Sequence, residues 1–295
     1  MSEPRQEMAA AELGGRIYAV GGLAGRANAN TIYDPSGNSW SVGGNLPVTT
    51  DHAWAVSLGG RLYVGGGSSN RVFAYDPAAD RWTEAAPSAY VHGGTPVAAV
   101  IGGQIYVAGG VGGTMVGNEL EVYDPAANRW TTRTPMSCAR NHTAGGAIGG
   151  KLYVAGGRPG SQDCLEVYDP AVDAWIRKAA MPTGRSGSAG AVVGDCLYVF
   201  GGEGNASDPN GIFHQVEAYE PATDTWRQLL PMQTARHGIY AAVLENVVYL
   251  PGGATHEGIG VTDVNEAYVI DLPPSLPPRQ KVILPPRRTR PPKSP

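Results

Sequence analysis

Arginine, glutamate and histidine side chains recur along this chain at regular intervals, and each type could do chemistry. Paired carboxylates can act as general acid and base, and a ring of arginines can bind an anion. Two histidines, His52 and His142, also share one repeated position. The arginines and glutamates that share repeated positions are Arg5, Arg140, Arg185 and Arg236, and Glu121, Glu166, Glu217 and Glu266.

A feature found in most repeats is explained by the repeat itself. We therefore interpret the repeated arginines as structural hydrogen-bond donors, with an anion-binding ring as the alternative. The repeated glutamates are not expected to be catalytic, and neither histidine is persuasive as a metal ligand.

Other signals of catalysis or cofactor binding are weak. The three cysteines, Cys138, Cys164 and Cys196, are too few for a disulfide framework and match no zinc-binding spacing. We expect them to be buried or half-buried thiols. No glycine-rich loop leads into a helix, which removes a phosphate-binding loop. The sequence therefore predicts no catalytic residue, no metal and no cofactor.

The composition favours many short strands joined by tight turns. Of 295 residues 42 are glycine, and only 16% are charged, against about 25% in an average protein. No apolar run approaches the ~18–20 residues of a membrane span. The net charge is −4, and residues 272–295 hold nine Pro, six Lys/Arg and no acid, so the remaining chain carries −10. Such an acidic body argues against nucleic-acid binding.

Two short sequence frames repeat along the chain. The first is YDPxxxxW, seen in YDPSGNSW, YDPAADRW, YDPAANRW, YDPAVDAW and YEPATDTW, with Tyr and Trp always seven apart. The second precedes it and consists of a Tyr three residues before a Gly-Gly pair, as in RIYAVGG and KLYVAGG. The second frame occurs six times, which gives six units of about 45 residues.

Each unit is predicted to contain four strands, A to D. Strand A is small and apolar, and a two-residue link such as Gly14-Gly15 suits a hairpin turn with positive φ. Strand B ends at the Gly pair, strand C ends at Tyr-Asp-Pro, and strand D carries the Trp. Repeated radially, such sheets bring their inner strands close to one axis, which favours Ala and Gly in strand A.

The two frames together resemble the Kelch repeat over residues 1–271. The resemblance implies an all-β, six-bladed β-propeller of four-stranded antiparallel blades, with blades at about 1–45, 46–88, 89–135, 136–180, 181–231 and 232–271. It also implies that the glycines and aromatics are structural, so Trp40, Trp82, Trp130, Trp175 and Trp226 are expected in the core.

The two ends of the chain differ from a complete repeat. The opening MSEPRQEMAAAEL aligns with residues 136–148, so it is predicted to be part of the fold. The sixth unit has a strand C but no Trp, and therefore lacks its own outer strand. We expect the gene to continue upstream with a Trp six residues before Met1, or else KVIL at 281–284 to supply that strand.

The Pro-rich basic tail 272–295 is expected to be disordered. No signal peptide is visible, so the cytoplasm is the default location.

Length variation is confined to one kind of loop. From the second Gly to the strand-C Tyr the spacing is 11, 8, 13, 11, 17 and 15 residues, whereas the other segments hardly vary. These B–C loops and the D–A turns between blades emerge on one face of a propeller, which we call the loop face. Loops on a rigid scaffold are where binding usually resides. Strand A also departs from its small-residue pattern at Trp54 and Tyr240, which could stack on a ligand or fill space between blades.

We therefore predict a monomeric, non-catalytic propeller that binds a protein or peptide on the loop face, with carbohydrate as a second ligand class. The candidate ligand-binding residues are Arg26, Trp54, Arg71, Met115, Arg158, Arg185, Glu203, Asp208, Arg236, His237, Tyr240 and His256.

The alternative is a carbohydrate-active enzyme, because the family resemblance includes sialic acid mutarotases and copper-radical sugar oxidases. Arg185, Arg236, His237 and Glu203 are the acid–base candidates for a mutarotase. The oxidase is less favoured, since no motif ties Cys164 to a Tyr and two His.

Overall fold

The structure, a computed structural model, describes residues 1, 3–112, 115–160 and 162–271. These residues form 23 strands in six antiparallel sheets, five of four strands and one of three. In every sheet the strands follow chain order, so each sheet is a meander. The described part of the chain contains no helix with the length and apolarity needed to cross a bilayer.

The sheets are named blades 1 to 6 in chain order. Blades 1 and 2 contain β1 Ala9–Leu13, β2 Arg16–Val20, β3 Asn30–Asp34, β4 Ser39–Gly43, β5 Ala53–Leu58, β6 Arg61–Gly66, β7 Val72–Asp76 and β8 Arg81–Ala85. Blades 3 and 4 contain β9 Val97–Ile101, β10 Gln104–Gly112, β11 Met115–Asp124, β12 Arg129–Arg133, β13 Ala144–Ile148, β14 Lys151–Ala155, β15 Leu165–Asp169 and β16 Ala174–Arg177. Blades 5 and 6 contain β17 Ala189–Val193, β18 Cys196–Phe200, β19 Val216–Glu220, β20 Thr225–Gln228, β21 Ala242–Leu244, β22 Val247–Pro251 and β23 Asn265–Val269.

The first strands of the six blades surround a common axis. Each contacts the first strand of the next blade, and β21 contacts β1, so the ring is closed. Small residues are needed there because neighbouring backbones approach closely. A Cβ on Gly190 would lie only 2.2 Å from the backbone nitrogen of Gly145 in the preceding blade. The predicted six-bladed β-propeller is therefore confirmed.

The apolar core is divided into six clusters, one at each interface between blades. The cluster between blades 2 and 3, for example, contains Trp54, Tyr63 and Tyr123. The cluster between blades 6 and 1 contains Ile17, Tyr33 and Ala242 and closes the ring. Every blade thus shares its hydrophobic faces with two neighbours, as expected when a single sheet cannot bury its faces alone.

The repeated tryptophans join neighbouring blades by hydrogen bonds as well as by packing. In blade 3 the Trp130 indole N–H donates to the Ala86 carbonyl of blade 2 at 2.8 Å, while the Ala86 N–H donates to Asn128 Oδ1 at 2.8 Å. Trp82, Trp175 and Trp226 make the equivalent bond to the preceding blade. Trp82 is buried and the other four repeated tryptophans are half-buried, so they lie at the rim of the blade interfaces.

The two ends of the chain are placed as follows. The opening residues belong to the fold, since Arg5 is fully buried and Gln6 pairs with Leu23. Blade 6 has three strands among the described residues, in line with the predicted lack of its own outer strand. The alternative outer strand, KVIL at 281–284, lies outside the described residues.

The packing role of the tryptophans gives a stability prediction. Trp130→Ala should lower the free energy of unfolding by about 3 kcal/mol, the lower end of the range for large aromatics, because the ring is half-buried. Trp130→Phe removes the bond to Ala86 together with part of the ring packing, but keeps most of the apolar contact, and should cost about 1–2 kcal/mol. Val172→Ala, at an exposed turn, is the control and should change stability by less than about 0.5 kcal/mol. Denaturant melts that show a loss below about 1 kcal/mol for Trp130→Ala would contradict this role.

A second prediction concerns acid stability. The Tyr75, Tyr168 and Tyr219 hydroxyls donate to the aspartates five residues later, Asp80, Asp173 and Asp224. These hydrogen bonds hold the pKa of the three carboxyls below their usual value. A carboxyl with a lowered folded-state pKa stabilises the fold fully above its unfolded pKa of about 3.9, and this contribution is lost as the pH falls below it.

Blades 1 and 3 carry Asn38 and Asn128 in place of the aspartate, and each accepts the same tyrosine bond. The triple substitution of Asp80, Asp173 and Asp224 by Asn should therefore fold. Its stability should fall less steeply than that of the wild type between about pH 5 and pH 2.5. Denaturant melts across this range measure the difference, and parallel curves would show that the pairs do not titrate as described.

Candidate functional site

The loop face is held together by a closed ring of backbone hydrogen bonds. In each D–A turn a backbone N–H donates to the carbonyl of the preceding turn, from blade 1 round to blade 6. The six bonds are Glu7 to Gly238 (2.8 Å), His52 to Glu7 (2.9 Å), Thr95 to His52 (3.1 Å), His142 to Gly94 (2.6 Å), Gly187 to His142 (3.0 Å) and Gly238 to Gly187 (2.9 Å). This turn ring surrounds one mouth of the axial channel.

One position of the turn ring has a left-handed backbone in every blade. Blades 3, 5 and 6 place glycine there, whereas blades 1, 2 and 4 place Glu7, His52 and His142 with φ of 54°, 52° and 54°. Non-glycine residues in this conformation cost about 1–3 kcal/mol each and often mark functional sites. Gly238 must remain small, because a Cβ there would lie 2.6 Å from Glu7 Oε1.

Glu7, His52 and His142 converge at the channel mouth, and one ligand atom from each lies within 4.8 Å of the other two. The His52 and His142 rings meet edge to face, with centroids 5.0 Å apart. His52 Nε2 lies 3.8 Å from Glu7 Oε2. Glu7 is almost completely buried, and its Oε2 accepts no hydrogen bond from any described residue. The mouth therefore contains a carboxylate oxygen and two imidazole rings with little solvent between them.

Three further polar residues surround this group. The guanidinium of Arg158, from the B–C loop of blade 4, donates to Glu203 Oε1 at 2.7 Å and to His142 Nε2 at 2.7 Å. Glu203 Oε2 lies 3.1 Å from His237 Nδ1, and His237 Nε2 donates to the backbone carbonyl of His256 at 2.9 Å. The Arg158 side chain is 42% exposed, whereas that of Glu203 is only 7% exposed. Arg158 thus covers a buried charged cluster.

The surroundings shift the pKa values of Glu7, His52 and His142 in different directions. Burial raises the pKa of Glu7, against the opposing effect of His52. Burial lowers the pKa of His142 to about 2, and Arg158 acts in the same direction. Burial alone would lower the pKa of His52, but the hydrogen bond to Asp51 and the charge of Glu7 outweigh it and raise the pKa. His142 is therefore neutral near pH 7 and accepts the Arg158 hydrogen bond.

The repeated arginines lie away from the mouth, inside the blades. Arg5, Arg140, Arg185 and Arg236 are all fully buried. Arg185 donates to the Gly201 and Val199 carbonyls of strand B and pairs with Glu217 of strand C. Arg140 and Arg236 form the equivalent pairs with Glu166 and Glu266. This burial supports the predicted structural role of the arginines and places Arg185 and Arg236 inside the blades.

The two aromatic exceptions of strand A also differ in placement. Trp54 is almost fully buried and packs edge to face against Trp130, with centroids 6.2 Å apart. This placement favours the space-filling interpretation for Trp54. Both residues line the axial channel, a cavity of about 80 Å³, but Tyr240 is half-buried and its hydroxyl lies near the Thr95 side chain.

The loop residues lie on the same face as the mouth. In five blades, counted over the described residues, the D–A turn pairs with the B–C loop of its own blade, as Asn141 pairs with Arg158. Arg26 bonds Glu3, and Arg71 bonds Glu84 and lies over the Phe73 ring. Asp208 and His256 line one groove of about 560 Å³ between the loops of blades 5 and 6.

Met115 is the first residue of β11 in blade 3 and is 72% exposed. With Tyr90 it lines a pocket of about 220 Å³. The loop face therefore carries one apolar pocket and one polar groove, on different blades.

The structure brings together Arg158, Glu203 and His237 from the predicted set, and adds residues that the sequence interpretation set aside. Sequence spacing indicates no role for Glu7, and it does not indicate His52 or His142 as metal ligands. The available signal was that all three occupy one repeated position, two residues after the repeated arginine or its replacement. Equivalent positions of a radial repeat lie at equal distance from the axis, so turn residues at the mouth converge.

The cysteines are free thiols and half-buried, as expected. Cys138, Cys164 and Glu166 nevertheless place one ligand atom each within 4.8 Å of the others. Arg177 Nη2 lies 2.9 Å from Cys138 Sγ, so a guanidinium faces this second group.

The chain is similar to Kelch-repeat proteins over most of its length. The profile of the KLHDC2/KLHL20/DRC7 Kelch-repeats domain matches residues 97–276, and that of the Kelch motif matches residues 4–47. Kelch-like protein terF of Aspergillus terreus is 29% identical over 92% of this chain and 66% of its own length. Kelch-like protein 23 of Homo sapiens is 26% identical over 87% of this chain and 47% of its own length.

The solved structure of YjhT matches with a TM-score of 0.77 and 19% identity, over 92% of this chain and 96% of that one. At this identity the match shows the fold alone. The chain spans two thirds or less of the length of the two Kelch-like relatives named above.

The repeated ion pairs are buried inside the blades, whereas Arg158 at the mouth is half-exposed. This difference gives a prediction about stability. Glu217→Gln leaves the Arg185 guanidinium buried without a counter-charge and should cost about 3–5 kcal/mol. Arg158→Gln removes a half-exposed partner and leaves the largely buried Glu203 with His237 beside it, so it should cost about 1–2 kcal/mol. Denaturant melts of the two variants test the assignment, and equal losses would show that it is wrong.

Proposed function

The chain belongs to the Kelch-repeat β-propeller family, and from this premise we propose that it is a non-catalytic binding module for a protein or peptide partner. The proposed site is the loop face, around the channel mouth. Partners that present a carboxylate are favoured, because a positively charged side chain is the exposed member of the charged cluster. The Kelch-like relatives are consistent with this class of function.

The observation that carries the proposal is the setting of Arg158. Its side chain is 42% exposed, yet its guanidinium is held by Glu203, His142 and Asn141. A side chain that is oriented before binding loses less conformational freedom when the partner arrives. Arginines with such support are frequent binding hot spots.

The rest of the loop face supplies complementary contacts. Met115 and Tyr90 line the apolar pocket on blade 3, and Ile259 on the blade 6 loop is 69% exposed. Apolar side chains exposed on a polar surface often mark interaction sites. A partner segment in which an acidic residue is flanked by an apolar one would fit these features. Trp54, Arg185 and Arg236 are left out of the proposed site because they are buried inside the blades.

A second candidate, a carbohydrate-active enzyme of the mutarotase type, is favoured by one observation. Glu203, His237 and Glu7 place buried acid–base groups at the channel mouth, where a sugar ring could be bound and proton transfer assisted. Anomerisation of acidic sugars followed by NMR tests this candidate. Faster exchange with the wild type than with His237→Gln would support it.

Charge reversal tests the partner-binding proposal. Peptides selected from a random displayed library on the wild-type protein should contain an acidic residue next to an apolar one. Arg158→Glu should weaken their binding by at least about tenfold and reduce its salt dependence, and Arg26→Glu should act in the same direction more weakly. Fluorescence anisotropy at two salt concentrations measures both effects.

Arg81→Glu and Arg129→Glu, at the C–D turns of the opposite face, are the matched controls and should bind as the wild type does. Melting temperatures should be nearly unchanged in Arg26→Glu and in the two control variants, and lower in Arg158→Glu, whose new carboxylate lies beside the buried Glu203. If only the opposite-face variants lose binding, the assigned face is wrong.

A further inference from the structure

We propose that the channel mouth binds one divalent transition-metal ion of the zinc type through Glu7, His52 and His142. The proposal goes beyond partner binding and does not depend on it. It rests on the backbone position, the tautomers and the unsatisfied carboxylate of these three residues.

The backbone position indicates that these side chains are not there for the fold. Glu7, His52 and His142 occupy the left-handed position of the turn ring that is glycine in blades 3, 5 and 6. The ring of backbone bonds forms equally well with glycine at that position, as Gly187 and Gly238 show. Three blades therefore keep a side chain on a strained backbone where the ring does not need one, and these three side chains converge.

The tautomers of both histidines leave a lone pair on Nε2. His52 Nδ1 lies 2.5 Å from Asp51 Oδ1, and His142 Nδ1 lies 2.6 Å from Asn141 Oδ1. Both partners are acceptor oxygens, so each Nδ1 carries the proton. Asn141 Oδ1 also accepts a bond from Arg158 Nε at 3.2 Å, which agrees with its assignment as oxygen. Metal-bound histidines are typically oriented by such a bond from the second ring nitrogen.

The third group is a buried carboxylate oxygen with no hydrogen-bond donor. Glu7 Oε2 has no partner among the described residues and lies 3.8 Å from His52 Nε2. A carboxylate oxygen and two imidazole lone pairs within 4.8 Å of one another repel unless a proton or a cation lies between them. Two histidines and one carboxylate form a common ligand set for zinc and for non-haem iron, and three protein ligands leave a position open for an exogenous ligand.

Arg158 is the competing cation at this site. Its guanidinium donates to His142 Nε2, the same lone pair that a metal would take. Since the side chain is 42% exposed and has a second bond to Glu203, it can release His142 without losing its position on the loop face. Metal binding and the Arg158–His142 bond are therefore mutually exclusive.

Zinc titration of the purified full chain tests the site. Cys138 and Cys164 are first replaced by Ser, because their thiols and Glu166 form another group that could take zinc. In this background we expect one zinc ion per chain by calorimetry. Co²⁺ should bind at the same stoichiometry and give visible bands without a thiolate charge-transfer band.

Glu7→Gly, His52→Gly and His142→Gly install the residue that three blades already carry at this position, so the fold should be retained. Each should weaken zinc binding by more than about 100-fold, since loss of an outer-shell partner alone costs about 10–100-fold. Asp51→Asn should fall within that outer-shell range. Arg158→Gln should strengthen binding about tenfold, because a neighbouring positive charge is removed. His256→Gln, an exposed histidine of the same face, should have no effect.

The proposal is overturned if the serine background binds no zinc. It is also overturned if the three glycine variants bind as tightly as that background, or if binding is lost only in His256→Gln, which would indicate adventitious binding by surface histidines. Circular dichroism melts of every variant show that a loss of binding is not a loss of fold.

Discussion

The closed ring of backbone hydrogen bonds between the D–A turns is the constraint on which the mouth of this propeller depends. Every turn donates to one neighbour and accepts from the other, so one N–H and one carbonyl of each turn are satisfied without solvent. The ring needs a left-handed residue in each blade, and this requirement fixes where side chains can enter the mouth. The ring also joins blade 6 to blade 1, through the bond from Glu7 to Gly238. This bond lies near the inner strands of the two blades, away from the outer strands.

The buried arginines connect this ring to the sheets behind it. Arg5, Arg185 and Arg236 each donate to the carbonyl of the first glycine in their own Gly-Gly pair, at 2.6–2.7 Å. In blade 3 His92 takes the same role, with Nδ1 bonded to the Gly109 carbonyl and Nε2 to Glu121. A buried charge needs a partner, which explains why a glutamate recurs on strand C of these blades. In blade 1 the hydroxyl of Thr31 takes its place.

The periodic parts of the molecule could be predicted from the sequence because each repeat has the same kinds of turn and packing residues at the same spacing. Gly14 and Gly15 have φ of 62° and 79°, as a tight hairpin requires, and the Tyr-Asp-Pro and Trp signals recur at fixed spacing. The charged cluster could not be predicted in the same way. Its members come from the turns and loops of five blades, so that Glu7 and His52, for example, are 45 residues apart, and they meet only when the ring closes. Arg185 and Arg236 were candidates because sequence spacing does not show whether a side chain points into its blade or into the mouth.

The mouth is chemically asymmetric although the scaffold is close to symmetric. Glycine at the ring position in blades 3, 5 and 6 shows that the fold accepts an empty mouth. Blades 1, 2 and 4 instead hold Glu7, His52 and His142 there, with a strained backbone and with one buried carboxylate oxygen that has no donor among the described residues. Features that lower stability and persist at one place are expected at functional sites. The rest of the ring is over-determined by backbone bonds and ion pairs, so it can carry this local cost. The scaffold therefore fixes where side chains enter the mouth, and the departures from the repeat determine which chemical groups they present there.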